Sequence, residues 1–240
     1  MCWRLQVFHR VKFAEVARFS RRQRFDRWLF CVDWSCVLSL KDHWDDAYSS
    51  KAVAERSWSE SGESDALAEV DLANLSRNSG IIDIGGGAST FASSLVQRGF
   101  VDVTVLDISE KALVEARSAL GDLAINVKWI VSDVLKWEPA RTYDYWNDRA
   151  AFHFLVNEQD QNKYVSNVLR ATRAGSHIAI SAFSPDGPES CSGLSVRRWS
   201  QSALASLFSG SCRVVRTGQR EHITPWGTAQ KFTWVHLQRM

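Results

Sequence analysis

The sequence predicts an α/β protein: a doubly wound, seven-stranded, mostly parallel sheet with a C-terminal antiparallel hairpin. Three observations carry that prediction. From Lys41 onward, short apolar runs alternate with amphipathic segments of about ten residues, the pattern of βαβ units. A run of three glycines, Gly85 to Gly87, follows the first apolar run. An aspartate stands at or just after the end of each of the first three runs: Asp83, Asp107 and Asp133.

The elements follow in order. Residues 41–50 read as a short helix with Trp44 and Tyr48 four apart on one face. Residues 65–75 read as a second helix, apolar at Leu67, Val70, Leu72 and Leu75. Residues 81–84 form a compact buried strand. A helix over 89–97 turns Phe91, Leu95 and Val96 inward, and Gly99 closes it. Residues 101–106 form the second strand. Ser109 caps a helix carrying Ala112, Leu113, Ala116 and Leu120, and Gly121 ends it. Residues 127–131 and 143–146 are the third and fourth strands. A helix over 160–172, a fifth strand over 177–183 and a helix over 200–208 come next. Residues 214–217 and 231–237 make the closing hairpin. Right-handed crossovers make such a sheet doubly wound. Its ligands sit beyond the carboxyl ends of the strands, where the strand order reverses.

The chain has 240 residues, 45% hydrophobic and 23% charged. Those values exclude a disordered or collagenous chain. No uncharged apolar run reaches ~18 residues, so no transmembrane helix is expected. Five cysteines, an odd count without framework spacing, fit a reducing compartment, and a cytoplasmic location is expected. Charge divides the chain. Residues 1–40 hold eight basic and three acidic side chains, while the remaining 200 residues carry a net −3. We therefore expect residues 1–40 to be a separate, disorder-prone basic extension, with 41–240 forming the folded α/β domain. A surface-binding segment, a partner helix and an inert extension are all compatible with its composition. Cys31 and Cys36, with His43 beyond, lack the second pair of a zinc site, and no metal is expected.

The residues after the strands carry the chemistry. Consecutive glycines at Gly85, Gly86 and Gly87 let a backbone pass close under a ligand and lead into a helix N-terminus. Asp83, at the end of a buried strand, needs a cationic or donor-rich partner. Asp107, 22 residues after Gly85, is placed to take ribose hydroxyls; the competing reading is a helix N-terminal carboxylate. Asp133 can accept from an adenine amine, with Val134 offering an apolar face; the competing reading is an exposed loop acid. Together they imply an adenosine ligand. Nicotinamide dinucleotides fit less well than S-adenosylmethionine. Thr90 stands where the dinucleotide pattern wants Gly or Ala. Asp83 would repel a phosphate and welcome an ammonium. None of Tyr48, Tyr143, Tyr145 and Tyr164 has Lys four residues later.

These motifs resemble the class I S-adenosylmethionine-dependent methyltransferases, over about residues 41–240. The segment Trp146-Asn147-Asp148-Arg149-Ala150 resembles a bacterial group that reads Trp-His-Asp-Arg-Ala there, with Asn147 in place of His. The resemblance implies a Rossmann-like sheet and S-adenosylmethionine as cofactor. It implies cofactor contacts at Asp83, Gly85, Gly86, Gly87, Asp107, Ile108, Asp133, Val134 and Trp146. It places Arg149, Trp44 and Tyr48 toward the acceptor, with Trp58 in the same lid; core packing is the alternative for the aromatics. Asp148 and His153 are the candidate bases, against a salt bridge or helix cap for Asp148 and a packed structural histidine for His153. The expected reaction is in-line methyl transfer to a small-molecule or protein side-chain acceptor. The alternatives are a non-catalytic S-adenosylmethionine-binding protein and a nicotinamide-dependent oxidoreductase. A nucleic-acid acceptor is disfavoured by the net negative body and by the lack of an Asn-Pro-Pro-Tyr sequence after the fourth strand.

Overall fold

The computed structural model describes residues 39–59, 62–87 and 89–240. The expected extension, with Cys31 and Cys36, lies outside the described residues apart from its last two positions.

Helix α1 (Leu40–Ser50) begins at Ser39, whose hydroxyl accepts from the Asp42 N–H while the Asp42 carboxylate accepts from the Ser39 N–H. That reciprocal pair satisfies two orphan donors of the first turn. Helix α2 (Leu67–Leu72) is shorter than expected, because Asn74 turns left-handed at φ 48° just beyond it. Then come β1 (Ile81–Ile84), α3 (Phe91–Gln97), β2 (Val103–Asp107), α4 (Glu110–Leu120), β3 (Val127–Val131) and β4 (Tyr143–Arg149). Ser109 caps α4 through the Ala112 N–H, and Gly121 ends it, as the sequence predicts. Helix α5 (Glu158–Arg170) starts earlier than expected because Asn157 caps it, accepting from the Asp160 N–H. The chain continues through β5 (Thr172–Phe183), β6 (Ser190–Cys191), β7 (Leu194–Ser195), α6 (Gln201–Ser206), β8 (Cys212–Ile223) and β9 (Ala229–Arg239).

Seven strands pair in the order β3-β2-β1-β4-β5-β9-β8, the first five parallel and β9 antiparallel to both its neighbours. The doubly wound sheet and its closing hairpin match the expectation. The order reverses between β1 and β4, which defines the switch point. Period-two alternation sends Ile82, Ile84, Trp146, Ile178 and Ile180 into one core with Tyr164, Val168 and Leu204. Ile81, Val105 and Tyr145 enter the opposite core with Leu67, Phe91, Leu95 and Leu113.

Two differences bear on function. Strand β4 runs to Arg149, so Trp146 to Arg149 lie within the strand and alternate between faces. The β6–β7 hairpin is a separate two-stranded sheet that the sequence reading omits. The closing hairpin is also far longer than the expected 214–217 and 231–237. Exposed Arg213 and Glu221 extend β8 by backbone pairing with β9, where no apolar run marks a strand. Among the described residues, no helix is long and apolar enough to cross a membrane.

Candidate cofactor and acceptor site

A cavity of about 340 Å³ opens at the switch point, at the carboxyl ends of β1, β2 and β3. Its wall includes Ile84 and Gly85 at the end of β1, Asp107 and Ile108 at the end of β2, and Asp133 and Val134 just after β3. The other end is walled by Trp44 and Tyr48 of α1, Trp58, Arg149, His153, Phe154 and Cys191.

The glycine bend is set by close approach. Gly85 has φ 62°, and a Cβ there would lie 2.8 Å from the Ala151 Cβ. A Cβ on Gly86 would strike the Asp83 carboxylate and come within 2.8 Å of Val105. One on Gly87 would lie 2.5 Å from the Tyr48 hydroxyl. Of the three, Gly85 lines the cavity, while Gly86 and Gly87 sit behind it, and a side chain on any of them would strike the surrounding protein.

Asp83 lies behind this bend, 2% exposed and outside the cavity wall. It accepts from Asn147 Nδ2 at 2.7 Å and from Ser89 Oγ at 3.3 Å. Burial pushes Asp83 up to about 7, against the pull of the Asn147 amide, the Arg149 charge and the Ser89 hydroxyl. Asp107 accepts from the Ser109 N–H at 2.8 Å. Burial pushes it up to about 6, although the N–H groups of Ser109, Gly87 and Ile108 favour its ionised form. Asp133 accepts from the Leu135 N–H at 2.9 Å, which shapes the turn after β3.

Helix α1 reaches the cavity because it is tied to α4. Asp45 accepts from Ser109 Oγ at 2.7 Å and from the Lys111 N–H at 3.3 Å. Arg56 pairs with Glu115 at 2.6 Å and lies over the Tyr48 ring at 4.8 Å. Trp58 Nε1 donates to the Tyr48 hydroxyl at 3.1 Å. Trp44 then meets Trp58 and Phe154 edge-to-face at 5.5 and 5.2 Å. The Arg149 guanidinium donates to the Trp58 carbonyl at 3.3 Å. Sequence reasoning missed Asp45 and Arg56. Neither sits in a motif, and both matter only through contacts made in the folded chain.

Two expected site residues are elsewhere. Trp146 is fully buried on the α5 side of the sheet, where its Nε1 donates to the Tyr164 hydroxyl at 3.0 Å. It is core, and the expected cofactor contact is corrected. Asp148 points to the same side. Its Oδ2 accepts from the Tyr164 hydroxyl at 2.5 Å, and its Oδ1 accepts from the N–H groups of Ala151 and Phe152 at 2.8 and 3.2 Å. With both oxygens engaged away from the cavity, Asp148 braces the turn that carries Ala151 against Gly85. A base role is corrected to a structural one. The cause is strand alternation: β4 continues through 149, so neighbouring residues cannot share a face.

His153 is in the wall and fully buried. Neither of its ring nitrogens has a partner. Burial pushes the imidazole down to about 3, so it is neutral at neutral pH. Phe154 and Phe183 flank it at 4.4 and 4.5 Å. Ala150, next to Arg149, holds φ 74°, a strained backbone for a residue with a Cβ, and such strain concentrates at functional turns.

Residues 81–175 match the family described as a methyltransferase domain. That span runs from β1 into β5 and holds the glycine bend and all three aspartates. The chain therefore carries a methyltransferase domain over that span. EEF1A lysine methyltransferase 2 of Danio rerio is 24% identical over 194 residues, covering 75% of this chain and 77% of that protein. A structure solved for the conversion of a disulfide bond into a thioacetal group during echinomycin biosynthesis superposes with a TM-score of 0.67. It is 18% identical and covers 83% of this chain and 93% of its own. Magnesium protoporphyrin IX methyltransferase from Synechocystis PCC 6803, with bound S-adenosylhomocysteine, superposes with a TM-score of 0.58 at 14% identity, over 73% of this chain and 81% of that one. S-adenosylmethionine is the methyl donor expected for such a domain. A glycine bend without room for a Cβ, flanked by carboxylates for a diol and an amine, is a set that fits it.

Proposed function

We propose that this methyltransferase carries a methyl group from S-adenosylmethionine to a small-molecule or protein side-chain acceptor by in-line displacement. One observation carries the reading: Gly85, Asp107 and Asp133 wall one cavity whose far end is aromatic. Bound S-adenosylmethionine supplies an electrophilic methyl on a sulfonium whose leaving group departs neutral. The chain's task is to align two partners and exclude water, and orientation of this kind supplies roughly 7–11 kcal/mol.

In this reading Asp107 and the Ile108 backbone hold the ribose, and Asp133 with Val134 holds the adenine. Gly85 to Gly87 pass under the methionine portion, whose ammonium is drawn to Asp83. Trp44, Tyr48, Trp58 and Arg149 shape the acceptor end. His153, neutral and without a partner, offers the acceptor a hydrogen bond; a pKa near 3 suits positioning better than proton abstraction. Asp148 acts from behind, by holding the turn. The relatives include a lysine and a porphyrin methyltransferase, so likeness leaves both acceptor classes in play. A cytoplasmic location is part of the proposal, resting on the cysteine pattern. So is a separate basic module at residues 1–40, whose removal leaves cofactor affinity intact.

Calorimetric titration with S-adenosylhomocysteine, NAD and NADP tests the reading. Only the first should bind. Turnover assays across thiol, amine, carboxylate and peptide acceptors then separate catalysis from mere binding. Methylation of none of them supports a non-catalytic cofactor-binding protein instead.

A further inference from the structure

Asn147 stands directly across the β1–β4 ladder from Asp83 in parallel register. Both side chains are buried, at 3% and 2% exposure, and the amide donates to Asp83 Oδ1 at 2.7 Å. We propose that Asn147 is a positioning residue for the cofactor's amino end: it holds the Asp83 carboxylate in the orientation that receives the methionine α-ammonium. The inference rests on the role given to Asp83 above.

The packing leaves Asp83 little choice. Oδ1 is tied across the ladder by Asn147. Oδ2 is held at the glycine bend, with Ser89 Oγ at 3.3 Å and Gly86 so close that a Cβ would not fit. One oxygen is therefore anchored and the other is turned toward the bend. The charged groups around it are Arg149 and Asp148 of β4, the first favouring the anion and the second opposing it. The buried Tyr145 hydroxyl also feels Asp83, on the face it shares with Asn147.

An amide suits this place because it orients without neutralising. A buried carboxylate needs donors to stay ionised. A lysine or arginine at 147 would supply them, but would also cancel the charge that attracts the ligand's ammonium. Asn supplies an N–H and no charge. A neutral histidine can do the same in one tautomer.

The test is calorimetric titration of the full chain with two ligands. S-adenosylhomocysteine carries the amino acid; 5′-methylthioadenosine carries the same adenosine without it. Asn147→Leu should weaken S-adenosylhomocysteine about tenfold or more at neutral pH, as expected for loss of a hydrogen bond to a charged group. It should change 5′-methylthioadenosine less than about threefold, because that ligand lacks the ammonium. Asn147→His should restore S-adenosylhomocysteine to within about threefold of the native protein. Asn147→Leu added to Asp83→Ala should cost nothing further. If Asn147→Leu does not fold, Asn147→Ser, which loses the reach but stays polar, is read in the same way. Equal weakening of both ligands, or of neither, overturns the proposal. Failure of the native protein to bind S-adenosylhomocysteine refutes the underlying cofactor reading instead. An Asp83→Ala protein with native affinity removes the role of Asp83, and that of Asn147 with it.

Discussion

The two ends of the cavity are built differently. At the cofactor end, Gly85, Asp107 and Asp133 sit where parallel strands stop, each within two residues of its strand. At the acceptor end, Trp44, Trp58, Arg149, Phe154 and Cys191 come from a helix, a loop, a strand end, a turn and a small hairpin, spread over 148 positions of the chain from Trp44 to Cys191. The first end follows from the topology of the sheet alone. The second depends on α1 being tied to α4 through Asp45 and Arg56. A fold of this kind can therefore keep its cofactor end while the acceptor end diverges.

That contrast makes graded predictions. Asp107→Ala should weaken S-adenosylhomocysteine by about 100-fold or more, since a charged acceptor of the ligand's hydroxyls is lost; a calorimetric change under about threefold would put the nucleoside elsewhere. The pH dependence of binding should be steep. Asp83 and Asp107 titrate at about 7 and about 6 in the free protein, and only their ionised forms accept hydrogen bonds without restriction. Affinity should therefore be full above pH 7 and fall as the pH drops through 7 and then 6. Below both values the loss should approach an order of magnitude per pH unit or more. A flat profile between pH 8 and pH 5 would contradict these assignments.

Asp148→Ala should act on the fold rather than on the ligand. It leaves the Tyr164 hydroxyl and two backbone N–H groups without their acceptor, at a cost of about 2–4 kcal/mol in urea unfolding. Cofactor affinity of the remaining folded protein should stay within about threefold. Comparable losses in both would show that the β4 turn and the adenosine end are one unit. His153→Phe should do the reverse. It removes two buried nitrogens that have no partner, so stability should hold or rise by up to about 1 kcal/mol while turnover falls. Unchanged turnover would return His153 to a packing role.

The same contrast explains what the sequence could reveal. The succession of strands along the chain and the three strand-end aspartates were legible because strand-end chemistry is local: an apolar run, a glycine bend and a carboxylate adjoin in the chain. Trp146 and Asp148 were misplaced because the apolar signal fades at Asn147, while the strand itself runs on to Arg149. Once the strand continues, alternation sends Trp146 and Asp148 away from the cavity. Asn147 was legible as a substitution but not as the partner of Asp83, since register between β1 and β4 cannot be read from a single chain. The latch at Asp45 gave no signal at all. An acid in the middle of an amphipathic helix has the same appearance whether it meets water or the cap of another helix.

A crystal structure with S-adenosylhomocysteine would decide between these assignments and any rival. The ligand should lie with its ribose on Asp107, its adenine beside Asp133, its amino group toward Asp83, and its sulfur facing Trp44 and Trp58. A nucleoside bound on another face of the sheet, away from Gly85 and Asp107, would contradict the site described here.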